Sequence, residues 1–214
     1  MPKRLRSEEL LKKGLKEMVI QYSDEQIRSF MTFLAELKKW NRAYNLTGLK
    51  TDEDIIVKHF LDSLLYIKAL PEGALQLADA GTGAGFPGIP IKIIRPEINI
   101  TLIESSRKKS AFLRHIIRTL GLTDINVLEQ RLERIGKEHE RAYDVIVSRA
   151  AFSVKEFLKT ACPFVRKGGR LILNKGPKVS GELKEPDAAN AVIEILKLRL
   201  PVKNDERNLI VLEC

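Results

Sequence analysis

From Leu75 onward, short apolar runs alternate with longer amphipathic stretches, a rhythm that predicts a parallel sheet with crossover helices. Strands are expected over 75–80, 99–104, 125–129, 143–148 and 169–174. Helices fall between them over 87–95, 106–120 and 153–166, with weaker ones near 132–139 and 181–190. The chain then runs EILKLRLP, a polar VKNDER and NLIVLEC, which reads as a terminal antiparallel hairpin. Before Leu75 the spacing is helical. Leu5, Leu10, Leu11, Leu15, Met18 and Val19 fit an amphipathic helix over 3–20. Ser23 and Gln26 form a capping-box pattern ahead of Ile27, Phe30, Met31, Leu34 and Leu37, so a second helix should run to about Trp40. WNRAYNLTGL then reads as a polar turn, and 52–70 as a third helix with His59 and Asp62 on one side of it, at i and i+3. The expected architecture is α/β: a Rossmann-like, mostly parallel core over 71–214 with a helical extension over 1–70, in one structural unit.

The densest candidate chemistry lies where the first strand ends. Leu77 to Pro90, LADAGTGAGFPGIP, passes from an apolar run to Asp79 and then to Gly81, Gly83 and Gly85. Glycines at spacing two describe a tight turn whose backbone a ligand can approach closely. A dinucleotide fingerprint would carry its third glycine where this chain has Phe86, so that reading weakens. The pattern D-x-G-x-G-x-G from Asp79, with Thr82 inside it, resembles motif I of class I S-adenosylmethionine-dependent methyltransferases, whose loop passes the methionine end of the cofactor. Five parallel units closed by a hairpin match that topology, whereas a dinucleotide domain would continue with another crossover.

Further candidates sit at later strand ends, the edge where doubly wound sheets bind ligands. Glu104 closes the second strand, 23 residues after Gly81, where an acid reaches ribose hydroxyls; as an alternative it favours the dipole of a helix capped by Ser105 or Ser106. Arg131, Leu132 and Glu133 follow the third strand, where class I enzymes usually contact adenine, although an ordinary helix start reads the same way. The fourth strand delivers Ser148, Arg149 and Ala150. Arg149 can pair with Glu133 or Asp79, take a carboxylate as a bidentate fork, or hold an RNA phosphate.

Composition narrows the class. With 214 residues, 44% hydrophobic and 30% charged, the chain suits one globular core. No apolar run approaches bilayer length and no signal-peptide pattern opens the chain, so a cytoplasmic monomer with no membrane contact is expected. Lys and Arg number 37 against 28 Asp and Glu, a net +9, which favours a polyanionic partner. Cys162, expected inside a helix, and Cys214 have no metal-ligand spacing and suggest neither a zinc site nor a disulfide framework.

Several stretches then carry a specific likeness. HFLDSL at 59–64, DAGTGAGFPGIP at 79–90, LIESSRKKSAFL at 102–113, QRLE at 130–133, YDVIVSRA at 143–150 and GGRLILNKG at 168–176 resemble the glucose-inhibited division protein B family, also called ribosomal RNA small subunit methyltransferase G. The similarity runs in unbroken order from about Trp40 to Gly176. It implies methyl transfer from S-adenosylmethionine to N7 of guanine 527 in the 16S rRNA of the bacterial small ribosomal subunit. By matching positions it implies cofactor contacts at Gly81, Phe86, Leu132, Glu133 and Arg149, with Glu104 at the ribose, and basic positions facing RNA at Arg131 and Lys175. Guanine N7 carries a lone pair and no proton, so placement matters more than general-base chemistry. Asp62 or Glu133 would then steady the positive charge that develops on the base, or Asp62 with Ser63 would only wall the pocket, and His59 would be a packed residue. The loop Lys175, Gly176, Pro177 and Lys178 is expected to touch RNA. Arg107, Lys108, Lys109, Arg114 and Arg118 form either a solvated face or a phosphate contact, and Trp40 with Tyr44 either stacks on a base or joins extension to core. A methyltransferase for another RNA or a small molecule, and a non-catalytic RNA-binding module, are the alternatives.

Overall fold

The computed structural model describes residues 3–149, 151–176, 181–183 and 185–214. Its centre is a seven-stranded sheet made of β1 (Gln76–Ala80), β2 (Asn99–Ile103), β3 (Ile125–Leu128), β4 (Tyr143–Arg149), β5 (Val165–Lys175), β6 (Val192–Arg199) and β7 (Glu206–Leu212). The order is β3-β2-β1-β4-β5-β7-β6; the first five strands are parallel, and β7 runs antiparallel to both β5 and β6. The order in which strands are added to the sheet reverses between β1 and β4, so their C-terminal ends form the crevice where such sheets take ligands.

The alternation of apolar residues assigns each face. Leu77, Val145, Val147, Ile172, Leu209 and Val211 point into the core shared with the N-terminal helices. Ala78, Ile146, Leu171, Leu173, Ile210 and Leu212 point into the opposite layer. Helix α1 (Lys3–Glu17) buries Leu11 and Leu15. Helix α2 (Asp24–Tyr44) starts at the expected capping box: Ser23 Oγ accepts from Gln26 N, and Gln26 Oε1 accepts from Ser23 N. Gln26 Nε2 also donates to the carbonyls of Ile93 and Ile94 at the end of α4 (Gly88–Ile94), so one side chain serves the ends of two helices. The helix continues past Trp40 because Asn41–Tyr44 still finds helical partners, and Asn45 closes it in the left-handed conformation, φ 50°.

Helix α3 spans 52–64. It begins at Asp52–Ile55, loosens into a π-helical turn over Ile56–Leu61, and resumes at Asp62–Leu64 before a 3-10 turn, Leu65–Lys68. Periodicity predicts the helix but not the π turn, a feature frequent at functional sites. Helix α5 (Arg107–Leu120) buries Phe112, Leu113 and Ile116, and Gly121 ends it with φ 62°. Helices α6 (Val154–Ala161) and α7 (Pro186–Ala191) cover the other face.

Some expectations are corrected. The weak helix near 132–139 is two isolated 3-10 turns, Leu132–Arg134 and Lys137–His139. β5 starts at Val165, four residues before the expected start at 169. Cys162 opens a 3-10 turn after α6 and is disulfide-bonded to Cys214, a pairing created by long-range topology that no local spacing announces. Trp40 packs against Phe112, His115 and Tyr44, so it joins the helical layer to the core rather than standing free for a base. No helix among the described residues is long and apolar enough to cross a membrane.

Candidate active site

The glycine loop is held from below by Asp79. The carboxylate is fully buried at the end of β1, and its Oδ2 accepts from Thr82 Oγ1 at 2.5 Å and from Gly88 N at 2.7 Å. Burial pushes this carboxyl up to about 7, against the downward pull of those two hydrogen bonds. Its Oδ1 has no partner among the described residues. Thr82 therefore turns inward to fix the loop.

The glycines divide the remaining work. Gly81, Gly83 and Gly85 have φ of 69°, 63° and 98°, a region that strains other residues. At Gly85 a side chain would collide with Ile89, and at Gly88 with Leu102, so these positions let α4 pack against the loop and against β2. At Gly83 a Cβ would meet nothing within 4 Å. The Gly83 N–H is aimed by Glu104, whose Oε2 accepts it at 2.9 Å while Oε1 accepts from Ser106 N at 2.7 Å. Glu104 thus closes the loop and supports the start of α5 at once; neither Ser105 nor Ser106 caps that helix by its side chain. An open backbone at Gly83 with a carboxylate beside it suits a nucleoside-bearing sulfonium cofactor such as S-adenosylmethionine.

Beside the loop stands a layered set of rings and charges. Phe86 is buried and stacks on His59, ring centroids 4.3 Å apart at 15°. The Arg149 guanidinium lies 5.2 Å from the centre of the Phe86 ring. Arg149 Nη2 donates to His59 Nδ1 at 2.9 Å, and Nη1 donates to the carbonyl of Lys58 at 3.1 Å. Its ion-pair partner among the described residues is Asp62, 3.7 Å away, and its charge also reaches the Asp79 carboxyl. Asp62, expected either to steady charge on the base or to wall the pocket, is buried and also accepts from Arg207 Nε at 2.7 Å, so its carboxylate is clasped between two arginines. Sequence reasoning could not find Arg207, which arrives from β7.

His59 links this cluster outward. Its Nε2 meets Thr47 Oγ1 at 2.7 Å, and burial and the neighbouring Arg149 charge hold the imidazole down to about 3. Burial alone would leave the tautomer open, but an arginine can only donate, so Nδ1 must accept and Nε2 must carry the proton. Tyr66 anchors the same region: its Oη donates to the carbonyl of Ser148 at 2.5 Å and accepts from Asn174 N at 3.2 Å. Ser148 Oγ in turn donates to the carbonyl of Ala80, tying β4 to β1. Thr47 and Tyr66 carry no local motif that would single them out.

The remaining expected site residues lie apart from one another. Leu132 is buried, whereas Arg131 and Glu133 are exposed and pair with each other at 3.8 Å. Lys175 points inward, donating to the carbonyl of Phe152 at 2.6 Å and to Glu182 at 3.1 Å, both in part-buried surroundings. Pro177 and Lys178 of the expected loop, and Ala150 after β4, lie outside the described residues. On α5, Arg114 pairs with Glu129, while Arg107, Lys108 and Arg118 form no pair among the described residues. No cluster of His, Cys, Asp and Glu among the described residues would hold a metal.

Known proteins resemble this chain in sequence and in fold. The family model described as rRNA small subunit methyltransferase G matches residues 26–211. A ribosomal RNA small subunit methyltransferase G from Desulforamulus reducens is 39% identical over 211 residues, 95% of this chain and 88% of the relative. The protein of the same name from Geobacter sp. strain M21 is 38% identical, covering 96% of this chain and 97% of the relative. Among solved structures, a SAM-dependent methyltransferase from Aquifex aeolicus superposes with a TM-score of 0.54 at 17% identity, over 74% of this chain and 92% of the other. At that identity the likeness speaks for the fold.

Proposed function

Because the chain belongs to the rRNA small subunit methyltransferase G family, we propose that it transfers a methyl group from S-adenosylmethionine to N7 of guanine 527 in bacterial 16S rRNA. The observation that carries this reading is the match over residues 26–211, which takes in the glycine loop, Glu104, Arg149 and the helix bearing His59. In it, residues 1–70 serve as a helical extension carried on a methyltransferase core over 71–214. Arg149, Gln26 and Tyr66 support treating the two as one working unit, since each bridges them.

When bound, the sulfonium supplies an activated methyl group. The residues that would hold it are Gly81, Gly83 and Gly85 through their backbone, Glu104 toward the ribose, and Leu132 as an apolar wall. Phe86 backs the pocket and Asp79 with Thr82 fixes its floor. The acceptor nitrogen carries no proton, so no residue has to act as base. That fits a site whose histidine is neutral and has both ring nitrogens engaged. The protein's task is alignment, which converts a bimolecular reaction into a nearly unimolecular one.

The transfer places positive charge on the guanine ring. Asp62, screened by Arg149 and Arg207, acts in this reading by holding Arg149 in place rather than by facing the base. Exposed Arg131 and the net +9 of the chain would draw the RNA phosphates in. Incubation with labelled S-adenosylmethionine and small ribosomal subunits tests the reading, label in small-subunit rRNA being the expected result.

A further inference from the structure

Between the end of α2 and the start of α3 lies an open cavity of about 750 Å³, on the scale of a small-ligand site. Its polar lining comes from Lys38, Asn41, Arg42, Asn45, Thr47 and Lys50. Among the described residues no carboxylate lines it. Lys38 is held by Asp52, but Arg42 and Lys50 are exposed and form no ion pair among the described residues. The cavity is therefore rich in donors and positive charge, the chemistry of a phosphodiester or a base carbonyl.

Its wall is rigid where it matters. Asn41 Oδ1 accepts from Thr47 N at 2.8 Å, and the left-handed Asn45 returns its own N–H to the carbonyl of Asn41. Thr47 Oγ1 accepts twice, from His59 Nε2 at 2.7 Å and from Leu49 N at 3.2 Å. The first of these acceptances is forced, because Arg149 already occupies Nδ1 of His59 as a donor. With both lone pairs of its oxygen used, Thr47 can only donate its proton to a further group, and no described residue takes it. Thr47 is among the residues that line the cavity.

We propose that Thr47 is a substrate-positioning residue: the chain Arg149 to His59 to Thr47 presents one oriented hydroxyl proton, beside Arg42 and Lys50, to an acceptor oxygen of the RNA. This rests on the RNA-methyltransferase reading. His59 and Arg149 also pack on Phe86 at the glycine loop, so a single side-chain stack connects the cofactor pocket to the RNA cavity. The orientation of the RNA acceptor is thereby tied to the wall against which the methyl donor sits.

Thr47→Val keeps the shape and removes the hydroxyl, and Thr47→Ser restores it. With small ribosomal subunits from cells lacking this modification as substrate, Thr47→Val should raise the KM for subunits about tenfold, with kcat at saturation within about twofold. Thr47→Ser should return KM to the wild-type value, and S-adenosylmethionine affinity by calorimetry should be the same in all three; Thr47→Val, which also leaves the His59 Nε2–H and the Leu49 N–H without that acceptor, should lower the thermal midpoint by a few degrees, and Thr47→Ser should not. Wild-type KM in Thr47→Val, or an equal loss in both variants, overturns the assignment to the hydroxyl. A wild-type protein that labels no small-subunit RNA overturns the parent reading, and this inference with it.

Discussion

Arg149 donates from Nη2 to Nδ1 of His59 across 2.9 Å, and this contact decides which nitrogen of the histidine carries its proton. A residue that reads in the sequence as a packed helix position thereby becomes an oriented donor. The consequence is measurable as a pH dependence of stability. His59 is held down to about 3 in the folded protein against a usual 6.5, so between those values the unfolded chain binds the extra proton. Stability from this group is complete above pH 6.5 and is lost as pH falls toward 3. The opposite trend comes from Asp79, whose raised value of about 7 favours the fold at lower pH and whose contribution is lost as pH rises from the ordinary carboxylate range through 7. The His59 contribution is therefore read as a difference. Between pH 7.5 and 4.5 the wild type should lose roughly 3 kcal/mol relative to His59→Gln in urea unfolding. A gap that does not change with pH would contradict the buried neutral imidazole.

Asp79 organises the glycine loop through two hydrogen bonds from one oxygen. Asp79→Ala leaves the Gly88 N–H and the Thr82 hydroxyl without that acceptor and should cost on the order of 3 kcal/mol. Asp79→Asn retains a carbonyl oxygen and should cost less. Calorimetric titration should find cofactor affinity falling in the same order.

The glycines are separable by what surrounds them. Gly85→Ala places a methyl against Ile89 at φ 98° and should destabilise the fold by more than about 2 kcal/mol. Gly83→Ala meets no neighbour and should cost only about 1–2 kcal/mol for its left-handed backbone. Its methyl projects into the open side of the loop, so S-adenosylmethionine affinity should fall at least tenfold. Thermal unfolding and calorimetry on the same samples separate the two effects.

Tyr66 joins the helical layer to the strand ends. Tyr66→Phe would leave the carbonyl of Ser148 and the N–H of Asn174 without that partner in a buried setting, at a cost of about 2 kcal/mol. Amide exchange should quicken at the C-terminal ends of β4 and β5 before it does elsewhere in the sheet.

The legible parts of this protein are those in which residue type and local spacing do the physical work. Three glycines beside Asp79, the alternation of apolar strands, and the Ser23 with Gln26 box all act within a few residues of themselves, and the structure has them where the pattern puts them. What escaped is long-range. The contact between Arg207 and Asp62 spans 145 positions, the anchoring of Asn174 by Tyr66 spans 108, and the bridge between Cys162 and Cys214 spans 52. Lys175 makes a contact of the same kind, reaching the carbonyl of Phe152 across 23 positions. Thr47 was hidden because a threonine after a helix is unremarkable until the histidine it meets has a fixed tautomer.

The most direct measurement is the position of the methyl group. After incubation with S-adenosylmethionine, unmodified small ribosomal subunits are treated with a reagent that cleaves RNA at N7-methylguanine, and the break is mapped by primer extension. A single new stop at guanine 527 of 16S rRNA, absent without the cofactor, is the predicted result. Transfer to a different base or atom, or no transfer to small-subunit RNA, would contradict it.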